Sequence, residues 1–105
     1  MTFDFHEDAL QEYEEAANWY EEQRHRLGFE FTLAIEAAIS AVLTDPARYQ
    51  LIGDGVQVFR IKRFPYYLYY KFYPARGHVR VAAIAHFKRR PDYWRGRLSN
   101  PDRGE

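Results

Sequence analysis

Ala9, Tyr13, Ala16, Ala17 and Tyr20 recur at the three-and-four spacing of an α-helix, with Glu7, Glu12, Glu14, Glu15, Glu21 and Glu22 on the remaining faces. Acid gathered in the first turn suits the positive end of the helix dipole, and Gly28 marks the expected stop. A second helix is predicted over 29–44, burying Phe31, Ile35, Ala38 and Val42 and ending at Asp45, which is disfavoured in a helix before Pro46. Ahead of both helices, residues 2–5 are short and β-prone. Behind them the period falls to two, predicting strands over 57–63, 66–73 and 79–86. Phe64-Pro65 and Pro74-Ala75-Arg76-Gly77 are short enough to join those three as antiparallel hairpins. In the middle strand Tyr66, Leu68, Tyr70 and Phe72 share the face assigned to the core, opposite Tyr67, Tyr69, Lys71 and Tyr73. Residues 51–55 read as a turn, and Gly53-Asp54-Gly55 is too short for a phosphate loop.

The order β-α-α-β-β-β predicts an α+β fold: a helical hairpin packed on a mainly antiparallel four-stranded sheet. A length of 105 residues accommodates one core, expected to span 1–98, followed by a polar C-terminal tail over 99–105. Eight Phe, nine Tyr and two Trp make the composition that of a globular chain rather than a disordered one. No cysteine is present, which excludes disulfides, thiol nucleophiles and Cys-type zinc sites. His6, His25, His78 and His86 fall in four separate segments without ligand spacing, so neither a metal nor another cofactor is expected. The acidic start lacks the basic and apolar regions of a signal peptide, and no stretch is expected to span a membrane, which points to a cytoplasmic protein.

Charge changes the picture most. The chain is formally neutral, yet residues 1–55 carry twelve acids against three arginines and residues 56–105 carry twelve Lys or Arg against three acids. Either the second half presents a basic face to a polyanion or an acidic protein segment, or acidic helices lying beside a basic sheet neutralise it internally.

Several cations sit where a binding or catalytic site could be built. Arg60 and Lys62, two apart in a predicted strand, project to one side. His86, Lys88, Arg89, Arg90 and Tyr93 follow the last strand and are expected to converge near them. Metal-free RNA cleavage needs a base for the ribose 2′-hydroxyl, cations for the charged transition state and an acid for the leaving oxygen, and these residue types can fill those roles. The competing reading has His86 capping a strand end and Tyr93 with Trp94 anchoring the tail on the sheet. Arg89 and Arg90, adjacent and of one sign, are expected to serve a partner rather than stability.

In order, Arg60, Lys62, Phe64-Pro65-Tyr66, Leu68, Tyr70, His86, Arg89, Pro91, Tyr93 and Trp94, preceded by Phe5-His6-Glu7-Asp8-Ala9, Trp19-Tyr20, Leu27-Gly28-x-x-Phe31 and Asp45-Pro46, resemble the RelE/ParE toxins of type II toxin–antitoxin systems over nearly the whole chain. The resemblance implies a toxin neutralised by a cognate antitoxin, with a homodimer or a toxin–antitoxin heterotetramer as the expected assembly. Its RelE branch cleaves messenger RNA on the ribosome. Carried over, Arg60, Lys62, Arg89 and, more loosely, Tyr93 become the catalytic set, while Tyr67 stands where active nucleases of that branch tend to have arginine. The forms Phe64-Pro65-Tyr66 and His86-x-x-Arg89-x-Pro91-x-x-Trp94 are closer to the ParE and plasmid-stabilisation branch, whose members poison DNA gyrase without an enzymatic step. Three readings therefore stay open: a gyrase inhibitor, a messenger RNA interferase, and an inert antitoxin-binding domain. Under the first, the target surface is expected to comprise Arg60, Lys62, His86, Lys88, Arg89, Arg90, Tyr93 and Trp94. An acidic, amphipathic antitoxin segment is expected to cover the basic sheet face by strand addition or by docking a helix.

Overall fold

The structure is a computed structural model and describes residues 1–98; the polar tail expected over 99–105 lies outside the described residues. Two helices pack on one side of a mixed five-stranded sheet: β1 (Thr2–Phe5), α1 (Glu7–Gln23), α2 (Leu27–Thr44), β2 (Gln50–Gly53), β3 (Val56–Arg60), β4 (Tyr66–Tyr73) and β5 (His78–His86). The sheet order is β1-β5-β4-β3-β2, with β1 parallel to β5 and the remaining neighbours antiparallel.

The fifth strand corrects the expected four. Residues 51–55 are only in part a turn, because Gln50–Gly53 pairs with β3 and the reversal is confined to Asp54 and Gly55, both at positive φ. A two-residue Asp-Gly link between β-prone runs is the loop whose own twist matches that of a hairpin. The signal was present in Asp54-Gly55, flanked by Leu51-Ile52 and Val56.

Gly28 plays a different part from the expected stop. α1 ends at Gln23 and the chain reverses through Arg26, held at φ 73°, so that Gly28 is the second residue of α2. A Cβ there would lie 2.5 Å from the Ala17 carbonyl oxygen and 2.9 Å from Glu21 Cβ, so glycine permits the two helices to touch. Arg26 offers α2 no side-chain cap; instead Glu21, on α1, accepts the backbone N–H groups of Arg26 at 3.0 Å and Gly28 at 3.1 Å. Those bonds, that from Arg26 foremost, lower the Glu21 pKa. The cap is therefore intact at neutral pH and is lost as pH falls through that lowered value. Gly28→Ala should destabilise the fold by about 1 to 3 kcal/mol, because overpacking outweighs the gain in helix propensity. A denaturation midpoint equal to wild type would show that the helices can separate without cost.

The main core carries the predicted stripes. Ala9 and Ala16 of α1 and Phe31, Ile35, Ala38 and Val42 of α2 are buried against Leu68, Tyr70, Val79 and Val81. Asp45-Pro46 does end α2, and the Pro46 carbonyl accepts from Gln57 Nε2 at 2.8 Å and the Tyr70 hydroxyl at 2.5 Å. Those two bonds account for the only buried polar side chain among the described residues and for a phenol with no exposure. α2 is, contrary to expectation, long and apolar enough to cross a membrane by length and composition, although here one face packs on the sheet.

A register shift in the β4–β5 pairing positions everything that follows. Tyr69 opposes Ala83 and Tyr70 opposes Val81, so Ala82 is an extra residue in β5. Val79 and Val81 face the helices before the bulge, and Ile84 faces them after it. Ala83 faces the opposite side, where Val56, Ala83 and Trp94 form a second small core with Ile52, Tyr69, Tyr93 and Leu98 packed against it.

Candidate functional site

Beyond His86 the chain turns back across the outer side of the sheet, and one carboxylate holds it there. β1 ends at Phe5, so past the bond from His6 N–H to the Val81 carbonyl, at 2.9 Å, β5 has no outer neighbour strand among the described residues. Glu12 of α1 fills the gap, its Oε1 accepting the Ile84 N–H at 3.0 Å. The same carboxylate accepts the Tyr93 hydroxyl at 2.7 Å and two bonds from Arg97, at 2.8 and 3.0 Å. Arg97 also donates to the carbonyl of the bulge residue Ala82 at 3.0 Å. Burial pushes the Tyr93 pKa well above its ordinary value, and the Glu12 hydrogen bond and charge push it further. Burial works against the Arg97 charge, but Glu12 outweighs it and raises that pKa as well.

This latch places several of the expected surface residues. Trp94 is only 2% exposed and stacks on Tyr69 at 4.7 Å between ring centroids. Trp94 is thus a core residue and gives no target surface, and Tyr93 is committed to Glu12. Arg89 lies over the Tyr93 ring at 3.7 Å and 3.9 Å from Glu12, so the pair Arg89 and Arg90 is not two free cations. His86 faces the helices: it meets Tyr66 edge-on at 5.1 Å and lines a cleft with Glu12, Trp19 and Arg89. Its Nδ1 accepts the Lys88 backbone N–H at 3.0 Å, the strand-end capping role.

Arg60 and Lys62 do come together, in a hollow shared with Pro65 and Phe87, although β3 stops at Arg60 and Lys62 sits in the turn beyond it. The hydrogen bond from Ile61 N–H to the Tyr66 carbonyl, 3.0 Å, closes the ladder, and Arg63 at φ 74° turns the chain. Arg60 pairs with Tyr67 across the sheet, its guanidinium lies 5.1 Å from the Phe87 ring centre, and Phe87 is 4.5 Å from Tyr67. The Phe87 N–H is anchored on the Pro65 carbonyl at 2.9 Å. The result is an outward platform of two aromatic rings and Arg60 at one end of the sheet, with Lys62, Lys88 and Arg90 exposed in the adjoining turns. Among the described residues, none of these four cations forms an ion pair, whereas Arg63, Arg80, Arg95 and Arg97 all do.

The basic half is therefore neutralised selectively. Glu12 takes Arg97, Glu30 takes Arg63 and Arg24, Asp4 takes Arg80 and His78, and Asp54 takes Arg95. Among the described cations of that half in no ion pair, Arg60, Lys62, Lys88 and Arg90 gather at the Arg60 end of the sheet, and Lys71 and Arg76 lie towards the other end. Phe87 is missing from the expected site because nothing in the alternation marks it as more than a strand-end apolar residue. Glu12 is missing because it falls on the flank of the α1 stripe, among glutamates that are solvated. No group of three or more His, Asp or Glu among the described residues could hold a metal.

No curated protein and no solved structure matches the chain. The family described as the ParE toxin of the type II toxin–antitoxin system parDE matches residues 3–91, from the middle of β1 through the platform to Pro91. With the motifs, the α+β architecture and that match in agreement, the chain belongs to the ParE toxin family of type II toxin–antitoxin systems.

Proposed function

We propose that this toxin acts in the cytoplasm by binding a protein target, as an inhibitor of DNA gyrase, through the platform of Arg60, Tyr67 and Phe87 and the neighbouring cations Lys88 and Arg90. The observation that carries this reading is the separation of the groups that RNA cleavage would need together. Tyr93 is spent on Glu12, and His86 caps its own strand end on the helix side. The hollow beside Arg60 and Lys62 is lined by cations, Pro65, Ile61 and two phenylalanines, with no carboxylate or imidazole among the described residues to take the 2′-hydroxyl proton. Exposed cations beside aromatic rings suit recognition of an acidic protein surface, where electrostatics sets the association rate and arginine with aromatic side chains supplies anchors.

The double variant Arg60→Ala with Arg90→Ala tests it. Both side chains are exposed and free of ion pairs among the described residues, so stability should change by no more than about 0.5 kcal/mol. Growth inhibition and DNA breaks on expression without antitoxin should both fall. Full toxicity in the folded double variant would remove the platform from the target surface. Cleaved messenger RNA in place of DNA breaks, lost in Lys62→Ala, would replace gyrase inhibition by ribonuclease action.

A further inference from the structure

The outer sheet face, where an antitoxin segment was expected to lie, is largely taken in its middle by Trp94 and Leu98 of this chain itself. The backbone groups that the sheet leaves open are those along its two edges, β1 and β2. The edges differ. β2 carries a register shift between Leu51 and Gly53, and an irregularity of that kind turns an edge away from further pairing. β1 is paired without a shift over all its residues and holds no lysine, proline or bulge to protect it. Its one charge, Asp4, is taken on the outer face by Arg80 and, at 2.8 Å, by His78.

Parallel pairing with β5 fixes which groups of β1 stay free. The Thr2 N–H donates to the Gly77 carbonyl at 3.0 Å and the His6 N–H to the Val81 carbonyl at 2.9 Å, so the even-numbered residues turn their amides towards β5. The N–H and C=O of Phe3 point the other way and have no partner among the described residues. Side chains divide by the same alternation. Thr2 and Asp4 lie on the outer face with His78 and Arg80, whereas Phe3 and Phe5 lie on the helix side, where their rings meet at 6.1 Å. Phe3 is nevertheless 42% exposed and Met1 61%. Phe3 also borders an open hollow of about 420 Å³ lined by Ile39, Leu43 and Glu36 of α2.

We infer that β1 pairs antiparallel with β1 of a second copy of this chain, about a two-fold axis passing beside Phe3. In that register the two Phe3 residues exchange both backbone hydrogen bonds, since each presents its free amide and carbonyl to the other. On the helix side each Phe3 meets its equivalent and each Met1 meets Phe5 of the other copy, so the exposed apolar surface of this edge is covered. On the outer face Thr2 stands opposite Asp4, and no like charges are opposed. An acidic antitoxin segment fits less well, because it would bring its charge alongside Glu36. The axis stands perpendicular to the joined sheet, which turns both outer faces the same way. The dimer therefore presents two Arg60 platforms on one side, each on β3 and β4 and clear of the joined edge. The contact is small, which places it among weak, concentration-dependent interfaces.

Analytical ultracentrifugation of the purified toxin over about 5 to 500 µM should show a monomer–dimer equilibrium with a Kd on the order of 50 µM. Phe3→Lys places a charge on the edge, and Phe3→Pro removes an outward N–H that no bond within the chain uses. Both variants should stay folded, with melting temperatures at low concentration within about 3 °C of wild type. Both should raise the dissociation constant at least about tenfold. Leu51→Lys, on the β2 edge, should dimerise as wild type. A wild-type toxin still monomeric at about 500 µM, or a dimer that both folded Phe3 variants retain, would overturn the inference. So would a dimer lost in Leu51→Lys alone, which would put the contact at β2. A toxin that is monomeric by itself, and whose Phe3→Lys variant no longer binds the protein encoded by the adjacent gene, would give the edge to that partner and overturn it as well.

Discussion

Phe31→Ala should lower stability by about 3 to 5 kcal/mol, a large part of the 5 to 15 kcal/mol that holds a domain of this size. Phe31 has no solvent exposure and sits at the centre of an aromatic cluster, 5.1 Å from both Phe64 and Tyr66 and 5.2 Å from Tyr20 between ring centroids. Most of those contacts are edge-to-face, an arrangement that adds to the transfer free energy of the ring itself. The cluster ties α1, α2 and the turn after β3 together, so a void there cannot close by shifting one element alone. Urea denaturation measures the loss directly. Toxicity lost in this variant would report unfolding rather than mechanism. A midpoint displaced by less than the equivalent of about 1 kcal/mol would show that the helices collapse into the void.

The placement of Phe31 was legible because a helical stripe depends on local spacing alone. Phe31, Ile35, Ala38 and Val42 recur at that spacing, and all four are buried. The same holds for Leu68 and Tyr70 on β4, where alternation fixed the inward face. The outer face was not legible. It depends on the bulge at Ala82, which lets β5 present Val81 and Ile84 to one side and Ala83 to the other. A period-two reading of β5 puts Ile84 and His86 in line with Ala82, and no residue type in Val81-Ala82-Ala83-Ile84 announces the irregularity. The small Ala83 then leaves room above it for Trp94, so of the two readings of the C-terminal aromatic pair the tail anchor holds, with Trp94 buried and Tyr93 partly buried beside it. Charge was legible in sum only. The excess in the second half is evident from counting, but which cations stay unpaired depends on tertiary partners such as Glu12 and Asp4, which lie more than seventy residues away in the chain.

Glu12→Ala should cost about 3 to 5 kcal/mol, the loss typical when one member of a largely buried ion pair is removed. The carboxylate is 13% exposed and Arg97, its main partner, 14%, so neither is well solvated. Truncation removes the acceptor of the Tyr93 hydroxyl and the Ile84 N–H and the main carboxylate partner of Arg97, which keeps only its bond to the Ala82 carbonyl and the longer pairing with Asp8. Asp8, 3.8 Å from Arg97 and about half exposed, is a weaker partner than the carboxylate that is lost. Loss should begin at the latch, because the residues past His86 are held on the sheet by this carboxylate and by the small core around Trp94. In a Trp19→Phe background Trp94 is the sole tryptophan, and Trp19, already 55% exposed, should be replaceable at little cost. Trp94 emission should therefore shift to the red at lower urea than the loss of helical circular dichroism. Coincident transitions would mean that latch and main core unfold as one unit. An unchanged midpoint would show that Tyr93 and Arg97 find water or other partners, and that Trp94 alone holds the chain against the sheet.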